Sequence, residues 1–489
     1  MHSSIFPIQT VTFSNGSETV LPGGRKLFPL LPRALEGVKT IGIIGWGSQG
    51  PAQSQNFRDT LASIGSDIIV RIGLRADSPS REKARAAGFT EWAGTLADVI
   101  DVVESADFVI VLIADGGMVK EYKTIFANMK RGATLGLSHG FLKGYLDSIG
   151  ESFPDTIDVV LMAPKGMGPS VRRLYVQWAT TDGAGINSSI GVERDVSGKA
   201  WDRALAWAVA TGSPVTFETT MTHEVRSDLY GERWILLGGI WAIAEVTYEK
   251  FLQDGSSEKQ AFQNSANALV GAISQIISEK WLRWAYESLD ADLRKYCEDG
   301  YNIGYTSGMP VLEDIYMHVC DGREIRDVIA KTADLQNHPM PSVEASPMWQ
   351  VGKELYKSPT DMNEESSLTL GLYMGIMMAQ IDLLRAKWHH TSEIVNESLI
   401  EAIDSLNPYM WARGVAYMVD NCSITARLGT RKWGPVFMES LRNNLNSVIS
   451  SEESEVEKSL PFTRFLTHSI HGDIATCFGF RPSVKIAVE

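Results

Sequence analysis

Between Thr40 and Ala163, short runs rich in Ile and Val alternate with stretches of helical periodicity, and this alternation constrains the fold most. Thr40–Gly45, Asp67–Gly73, Asp107–Ile113, Ala133–Ser138 and Asp158–Ala163 read as buried strands. Gln53–Ile64, Ser80–Ala87, Leu96–Glu104 and Val119–Met129 read as the helices between them. Strand and helix in turn predict an α/β fold, a doubly wound parallel sheet covered on both faces. The turn Thr211-Gly-Ser-Pro214 and the apolar Val215-Thr-Phe217 mark its end.

The texture then becomes helical, with Glu232–Leu252, Glu258–Ser278, Glu324–Thr332, Leu368–Lys387 and Glu393–Leu406 as candidates. A polar, Pro-containing stretch, His338–Glu365, divides this part in two. The halves are weakly alike. Leu237-Gly238 followed by Gly271-Ala-Ile273 parallels Leu370-Gly371 followed by Glu401-Ala-Ile403, with Asn267 and Gly271 opposite Glu397 and Glu401. A duplicated helical domain explains this, and chance likeness of apolar helix pairs is the competing explanation. At 489 residues the chain exceeds one ordinary core. The expected division is 1–219, 220–360 and 361–489.

Asp228-Leu-Tyr-Gly-Glu232 and Glu397-Ser-Leu-Ile-Glu401 each place two carboxylates at i,i+4, on one face of a helix. Their flanks are apolar: Trp234–Ile243 follows the first pair, and Leu399, Ile400, Ala402 and Ile403 surround the second. Buried carboxylates call for a cation, and ligands that are all oxygen select a hard divalent ion such as Mg2+. A solvated acidic face is the ordinary meaning of this spacing and competes with that reading. Asp361 and Glu365 stand opposite the first pair in the repeat, but their polar surroundings read as such a solvated face.

The net charge of −14 argues against nucleic acid or an anionic membrane surface as partner. The four cysteines are dispersed with no CxxC, which indicates neither zinc nor a disulfide framework. No signal peptide is apparent, and the opening Met-His-Ser-Ser-Ile-Phe lacks the Arg-rich look of a transit peptide.

Gly45-Trp46-Gly47-Ser48-Gln49-Gly50 is a GxGxxG between a strand and a helix. Its glycines permit a tight turn, close approach to a pyrophosphate, and helix–strand packing. The next strand ends in Gly73-Leu-Arg75-Ala-Asp77-Ser78-Pro-Ser80. Arg75, Ser78 and Ser80 suit a 2′-phosphate, favouring NADP over NAD, whereas Asp77 opposes this unless it only starts the following turn. His139 in Ser-His-Gly-Phe and Lys165 in Ala-Pro-Lys-Gly-Met-Gly168-Pro follow the fourth and fifth strands, where ligands bind in open α/β sheets. His389-His390 has no partner at metal-ligand spacing and reads as helix surface.

Together GWGSQGPAQ, GLSHGF, APKGMGPSVRRLYV, SDLYGER, NESLIEAIDSLNPYMWARGV and MVDNCSITARLG resemble the ketol-acid reductoisomerase (acetohydroxy-acid isomeroreductase) family, in its long, plant-type form. The resemblance runs from about residue 22 to the C-terminal RPSV. It implies that Gly45–Gly50 holds the NADP(H) pyrophosphate, with Arg75, Ser78 and Ser80 on the 2′-phosphate and Gly168 and Asp115 also on the cofactor. It implies His139 and Lys165 as catalytic, with Asp228, Glu232, Glu397 and Glu401 around two Mg2+, Asp228 bridging, and Glu232 and Glu401 also catalytic. Ser423 then binds the substrate carboxylate. Ala114-Asp-Gly-Gly-Met118 departs from the plant-type Ser-Asp-Ala-Ala-Gln and leaves the nicotinamide-side contacts open. The resemblance also implies a knotted helical domain and a homodimer. It places the chain in the plastid (chloroplast) stroma with its transit peptide absent here, or in the cytoplasm of a bacterium.

The implied chemistry is Mg2+-dependent alkyl migration in a small 2-hydroxy-3-keto acid (2-acetolactate or 2-aceto-2-hydroxybutyrate), then reduction by NADPH, in valine, isoleucine and leucine biosynthesis. Two other functions remain open. A metal-independent NADP-dependent 3-hydroxyacid dehydrogenase also joins a Rossmann domain to a helical one, and a non-catalytic dinucleotide sensor needs only the glycine loop.

Overall fold

A computed structural model describes residues 1–180, 185–355, 357–358, 360–450 and 460–480. Met1–Val225 and Arg226–Phe478 form two compact units.

The first unit is built on ten strands: β1 Gln9–Phe13, β2 Gly16–Pro22, β3 Thr40–Ile44, β4 Ile69–Gly73, β5 Leu96–Ala97, β6 Phe108–Val111, β7 Thr134–Leu137, β8 Asp158–Pro164, β9 Ser188–Arg194 and β10 Val215–Glu218. They lie in the order β1-β2-β10-β9-β8-β7-β6-β3-β4-β5. The five strands expected from sequence form the parallel centre with β5 at its edge. Beyond β8 the sheet is mixed: β9 runs antiparallel to β8, β10 parallel to β9, and the β1–β2 hairpin antiparallel to β10. The centre is apolar on both faces because helices cover both, with Trp207 and Phe108 edge-to-face in one layer and Val109, Leu135 and Leu161 in the other. β1 alternates exposed and buried residues, so it lacks the continuous apolar run that revealed the centre. Chain order reverses between β3 and β6, which makes the carboxyl end of β3 the switch point where such sheets bind ligands.

The second unit is helical and made of two copies 133 residues apart. Gln253 ends one helix and Ala386 its counterpart, while Glu258–Phe262 is matched by Thr391–Val395. The π-helical Gln263–Asn267 and Leu269–Ile273 are matched by the π-helical Asn396–Leu406. Even the kink repeats: Trp281 (φ 57°) interrupts Ser274–Glu287 where Gly414 (φ 98°) separates Asn407–Arg413 from Val415–Asn421. This single offset corrects the register read from sequence. Asn264 and Ala268, rather than Asn267 and Gly271, stand where the second copy has Glu397 and Glu401, because the turns joining the helices have equal length in both copies and no three-residue slip occurs.

Among the described residues the longest helix, Ala291–Cys320, crosses Glu364–Ala386 at close range. A Cβ on Gly371 would lie 2.0 Å from the Cys297 carbonyl oxygen and one on Gly375 2.4 Å from that of Tyr301, so only glycine permits this approach. Glu364–Ala386 is apolar enough to cross a membrane by composition, yet most of it is buried in this helical core. The continuous helix expected over Glu232–Leu252 is instead two, Met221–Arg233 and Gly238–Gln253. At the break the Gly239 amide turns back to the Trp234 carbonyl, and a Cβ on Gly238 would strike the Arg233 carbonyl.

Candidate active site

In the first unit the glycine loop leaves β3 at its carboxyl end. Gly45 has φ 109°, and a Cβ there would sit 2.6 Å from the Leu112 carbonyl oxygen; one on Gly50 would sit 2.5 Å from the Gly45 carbonyl oxygen. Gly47 is different, because its nearest neighbour to such an atom is 3.9 Å away. Turn and packing thus require the outer glycines, while the middle one faces open space. Ser48 makes no side-chain cap to the helix Gln49–Ser63, so the first-turn N–H groups point outward as donors for an anion. Arg75 and Asp77 are exposed and 4.0 Å apart, Asp77 lies in the turn, and Ser80 opens the next helix. Asp115 opens the helix Asp115–Asn128.

The loop after β8 packs onto the glycine loop. Gln49 Nε2 donates to the Gly166 carbonyl at 2.9 Å, and a Cβ on Gly168 would lie 1.8 Å from the Ser48 carbonyl oxygen. Lys165 is buried, with its backbone N–H on the Asn187 carbonyl. His139 sits after β7, its Nδ1 3.5 Å from Glu224 Oε2, which also accepts the Gly140 N–H at 2.5 Å. Sequence reasoning missed two residues here. Glu224 extends the Asp228/Glu232 ladder one turn earlier, and that i−4 spacing was the available signal. Gln53, fully buried, donates to Ser138 Oγ and accepts from Trp207 Nε1, both at 2.9 Å, tying the nucleotide helix to the strand end beside His139.

In the second unit, Asp228 and Glu232 are half-buried on the helix Met221–Arg233, whereas Glu397 and Glu401 are buried on the π-helical stretch. π-turns are rare and concentrate at functional sites. A Cβ on Gly231 would lie 3.8 Å from Glu397 Oε2, so the helix Met221–Arg233 packs against the π-helical stretch at Glu397. Cys422 senses three of the four: burial, then Glu232, with Asp228 and Glu401, push its thiol up to about 12. The Ser423 hydroxyl lies 3.4 Å from Glu232 Oε1 and accepts the Ala426 N–H at 3.0 Å. Arg233 Nη1 donates to Glu232 Oε2 at 2.9 Å, but the same buried guanidinium also answers the buried Glu324 at 3.3 Å.

These residues fit a hard cation. The four side chains offer carboxylate oxygens, the donors that select a hard ion. The repeat gives an internal comparison: at the counterpart position Asn264 Nδ2 donates to Glu365 Oε2 at 2.6 Å, and Ser256 Oγ donates to Oε1 at 2.5 Å. These neutral donors stand at the positions that correspond to Glu397 and His389 in the second copy. Glu365 is therefore not the solvated face expected from sequence; it is half-buried and hydrogen-bonded, and only Asp361, outside the helix that starts at Glu364, is exposed. His389 is likewise not helix surface. It is 2% exposed because Glu393 and Tyr316 hydrogen-bond both ring nitrogens.

A dinucleotide loop at the switch point of a Rossmann-like sheet, in a chain that also has an all-helical unit with clustered carboxylates, defines a dinucleotide-dependent oxidoreductase. A family model for the acetohydroxy acid isomeroreductase NADPH-binding domain matches residues 35–216, and one for the ketol-acid reductoisomerase C-terminal domain matches residues 221–360. The chain belongs to the ketol-acid reductoisomerase family. It is 45% identical to the chloroplastic ketol-acid reductoisomerase of Spinacia oleracea over 99% of its own length and 83% of that protein's. Identity to the chloroplastic enzyme of Pisum sativum is 44%, over 99% and 85%. An NADH-preferring ketol-acid reductoisomerase from an uncultured archean, 21% identical, shares the fold with a TM-score of 0.54, over 66% of this chain and 95% of that one. The chain is thus an NADP-dependent oxidoreductase of branched-chain amino-acid biosynthesis that acts on a small molecule.

Proposed function

We propose that the protein converts 2-acetolactate and 2-aceto-2-hydroxybutyrate to 2,3-dihydroxy-3-methyl acids with NADPH and two Mg2+. The observation that carries this is the placement of Asp228 and Glu232, half-buried, and Glu397 and Glu401, buried, on two helices that pack together where Gly231 faces Glu397. Bound there, the two Mg2+ supply Lewis acidity toward the substrate's hydroxyl and carbonyl oxygens. Asp228 and Glu397 hold the ions, while Glu232 and Glu401 hold them and also exchange protons with the substrate hydroxyl and the newly reduced oxygen. Ser423 Oγ, close to Glu232, binds the substrate carboxylate. A methyl or ethyl group shifts as the hydroxyl proton leaves, and the new 2-keto carbon takes hydride.

In the first unit, Gly45–Gly50 with Gly168 holds the pyrophosphate, Arg75, Ser78 and Ser80 the 2′-phosphate, and Asp115 the nicotinamide side. His139, paired with Glu224, and the buried Lys165 are its acid–base groups. A plastid address belongs to this proposal and rests on the chloroplastic spinach and pea relatives.

The test is NADPH oxidation with 2-acetolactate and Mg2+, run with and without EDTA. Turnover abolished by chelator supports the assignment. Turnover of a simple 3-hydroxyacid that survives EDTA would replace it with a metal-free dehydrogenase, and the absence of any turnover would favour a sensor.

A further inference from the structure

The two helices that carry the metal carboxylates share a buried polar tie one turn away from them. Glu393 precedes Glu397 and Glu401 at i,i+4 spacing and is 0% exposed. Its Oε1 accepts the Ser227 hydroxyl at 2.8 Å, and Ser227 is the residue before Asp228. Its Oε2 lies 3.3 Å from His389 Nδ1, and His389 Nε2 is 2.9 Å from the Tyr316 hydroxyl. All four side chains are buried. A buried carboxylate is costly and is kept only where its hydrogen bonds are met, so this set specifies one registry between the helices rather than filling space.

The repeat again provides a comparison. At the counterpart positions stand Thr360 for Ser227, Gln260 for Glu393 and Ser256 for His389. There Gln260 turns to the Ser257 hydroxyl at 2.8 Å, and Thr360 accepts from Asn267 at 2.8 Å. The carboxylate tie is therefore present beside Glu397 and Glu401 and replaced beside Asn264 and Ala268. A tie needed only for folding would have no reason to track the metal carboxylates.

We infer that Glu393 is a positioning residue which, held by Ser227 and His389, fixes the helix of Asp228 and Glu232 against that of Glu397 and Glu401 and so sets the spacing of the bound cations. This rests on the Mg2+ assignment above. It is tested by titrating Mn2+, an EPR-visible stand-in for Mg2+, into the full-length protein and its Ser227→Ala, Glu393→Gln and Glu393→Leu variants, with NADPH affinity measured in parallel. Ser227→Ala and Glu393→Leu are expected to weaken Mn2+ binding by about 10–100-fold and broaden the bound spectrum. Glu393→Gln, which still accepts from Ser227, is expected to stay within about threefold of wild type, and NADPH affinity to stay unchanged throughout. Ser227→Ala leaves the buried charge in place, so it serves if Glu393→Leu does not fold. Wild-type Mn2+ affinity and spectrum in Ser227→Ala would overturn the positioning role alone. A wild-type protein that binds no Mn2+ would overturn the Mg2+ assignment and this inference with it.

Discussion

The Asn264 amide donates to Glu365 at 2.6 Å, and these two residues are the counterparts, 133 positions away, of Glu397 and Glu232. One copy pairs a carboxylate with a neutral donor, whereas the other carries carboxylates at both of these positions. Like charges in a half-buried setting repel unless a cation lies among them. On the proposed Mg2+ assignment, the duplication accounts for carboxylates that come in two pairs and for the hydrogen bond found at the counterpart position.

Asn264→Glu should recreate the repulsion on the closed side. In chelator its Tm should fall by several degrees, matching a lost charge-assisted hydrogen bond worth about 1–3 kcal/mol. Millimolar Mg2+ should restore part of that loss. A Tm indifferent to both the substitution and Mg2+ would contradict the symmetry argument.

Gly168→Ala addresses the nucleotide loop. The added Cβ would sit 1.8 Å from the Ser48 carbonyl oxygen, so the two loops must separate. The expected result is a rise of roughly tenfold in the KM for NADPH, with a stability loss of about 1–3 kcal/mol from overpacking. Unchanged NADPH affinity would remove this loop from the cofactor site.

Glu324 sets an acid limit on stability. Burial pushes its carboxyl up, but Arg233, then Lys432 and the Trp433 indole, outweigh it and hold the carboxyl below its usual range. Folding therefore favours the ionised form. The contribution is complete above the ordinary carboxylate value of about 4.3 and is lost as pH falls through the lower folded value. Urea unfolding should show this loss in acid for wild type and a shallower acid slope for Glu324→Gln. At neutral pH that variant should be weaker by about 3–5 kcal/mol, because it leaves the buried Arg233 short of its partner.

Much of the first unit was legible because its central strands are buried on both faces and stand out as Ile/Val runs. β1 and β2 escaped because strands with solvated faces carry Ser, Thr and Glu, and β9 because its buried start is Ser188-Ser189 rather than an Ile/Val run. The carboxylate pairs were legible from spacing and apolar flanks. Glu393 and His389 were not: their role depends on Ser227 and Tyr316, distant in sequence and joined only by packing. The repeat was visible but misregistered, since Ala-Ile recurs by chance three residues out of step, and only the paired helix ends fixed the offset.

Glu232→Gln and Glu401→Gln separate metal chemistry from cofactor binding. Each should lower kcat for 2-acetolactate by at least about 100-fold while NADPH still binds normally. Near-wild-type turnover by either would remove that carboxylate from the chemistry.

The most direct measurement is the stoichiometry of Mg2+ binding by calorimetry on the NADPH-bound protein. Two ions per chain are expected for wild type, and weakened binding for both Asp228→Asn, in one helical copy, and Glu397→Gln, in the other. A wild-type protein that binds no Mg2+, or substitutions in both copies that leave binding intact, would contradict a metal centre built from the two pairs.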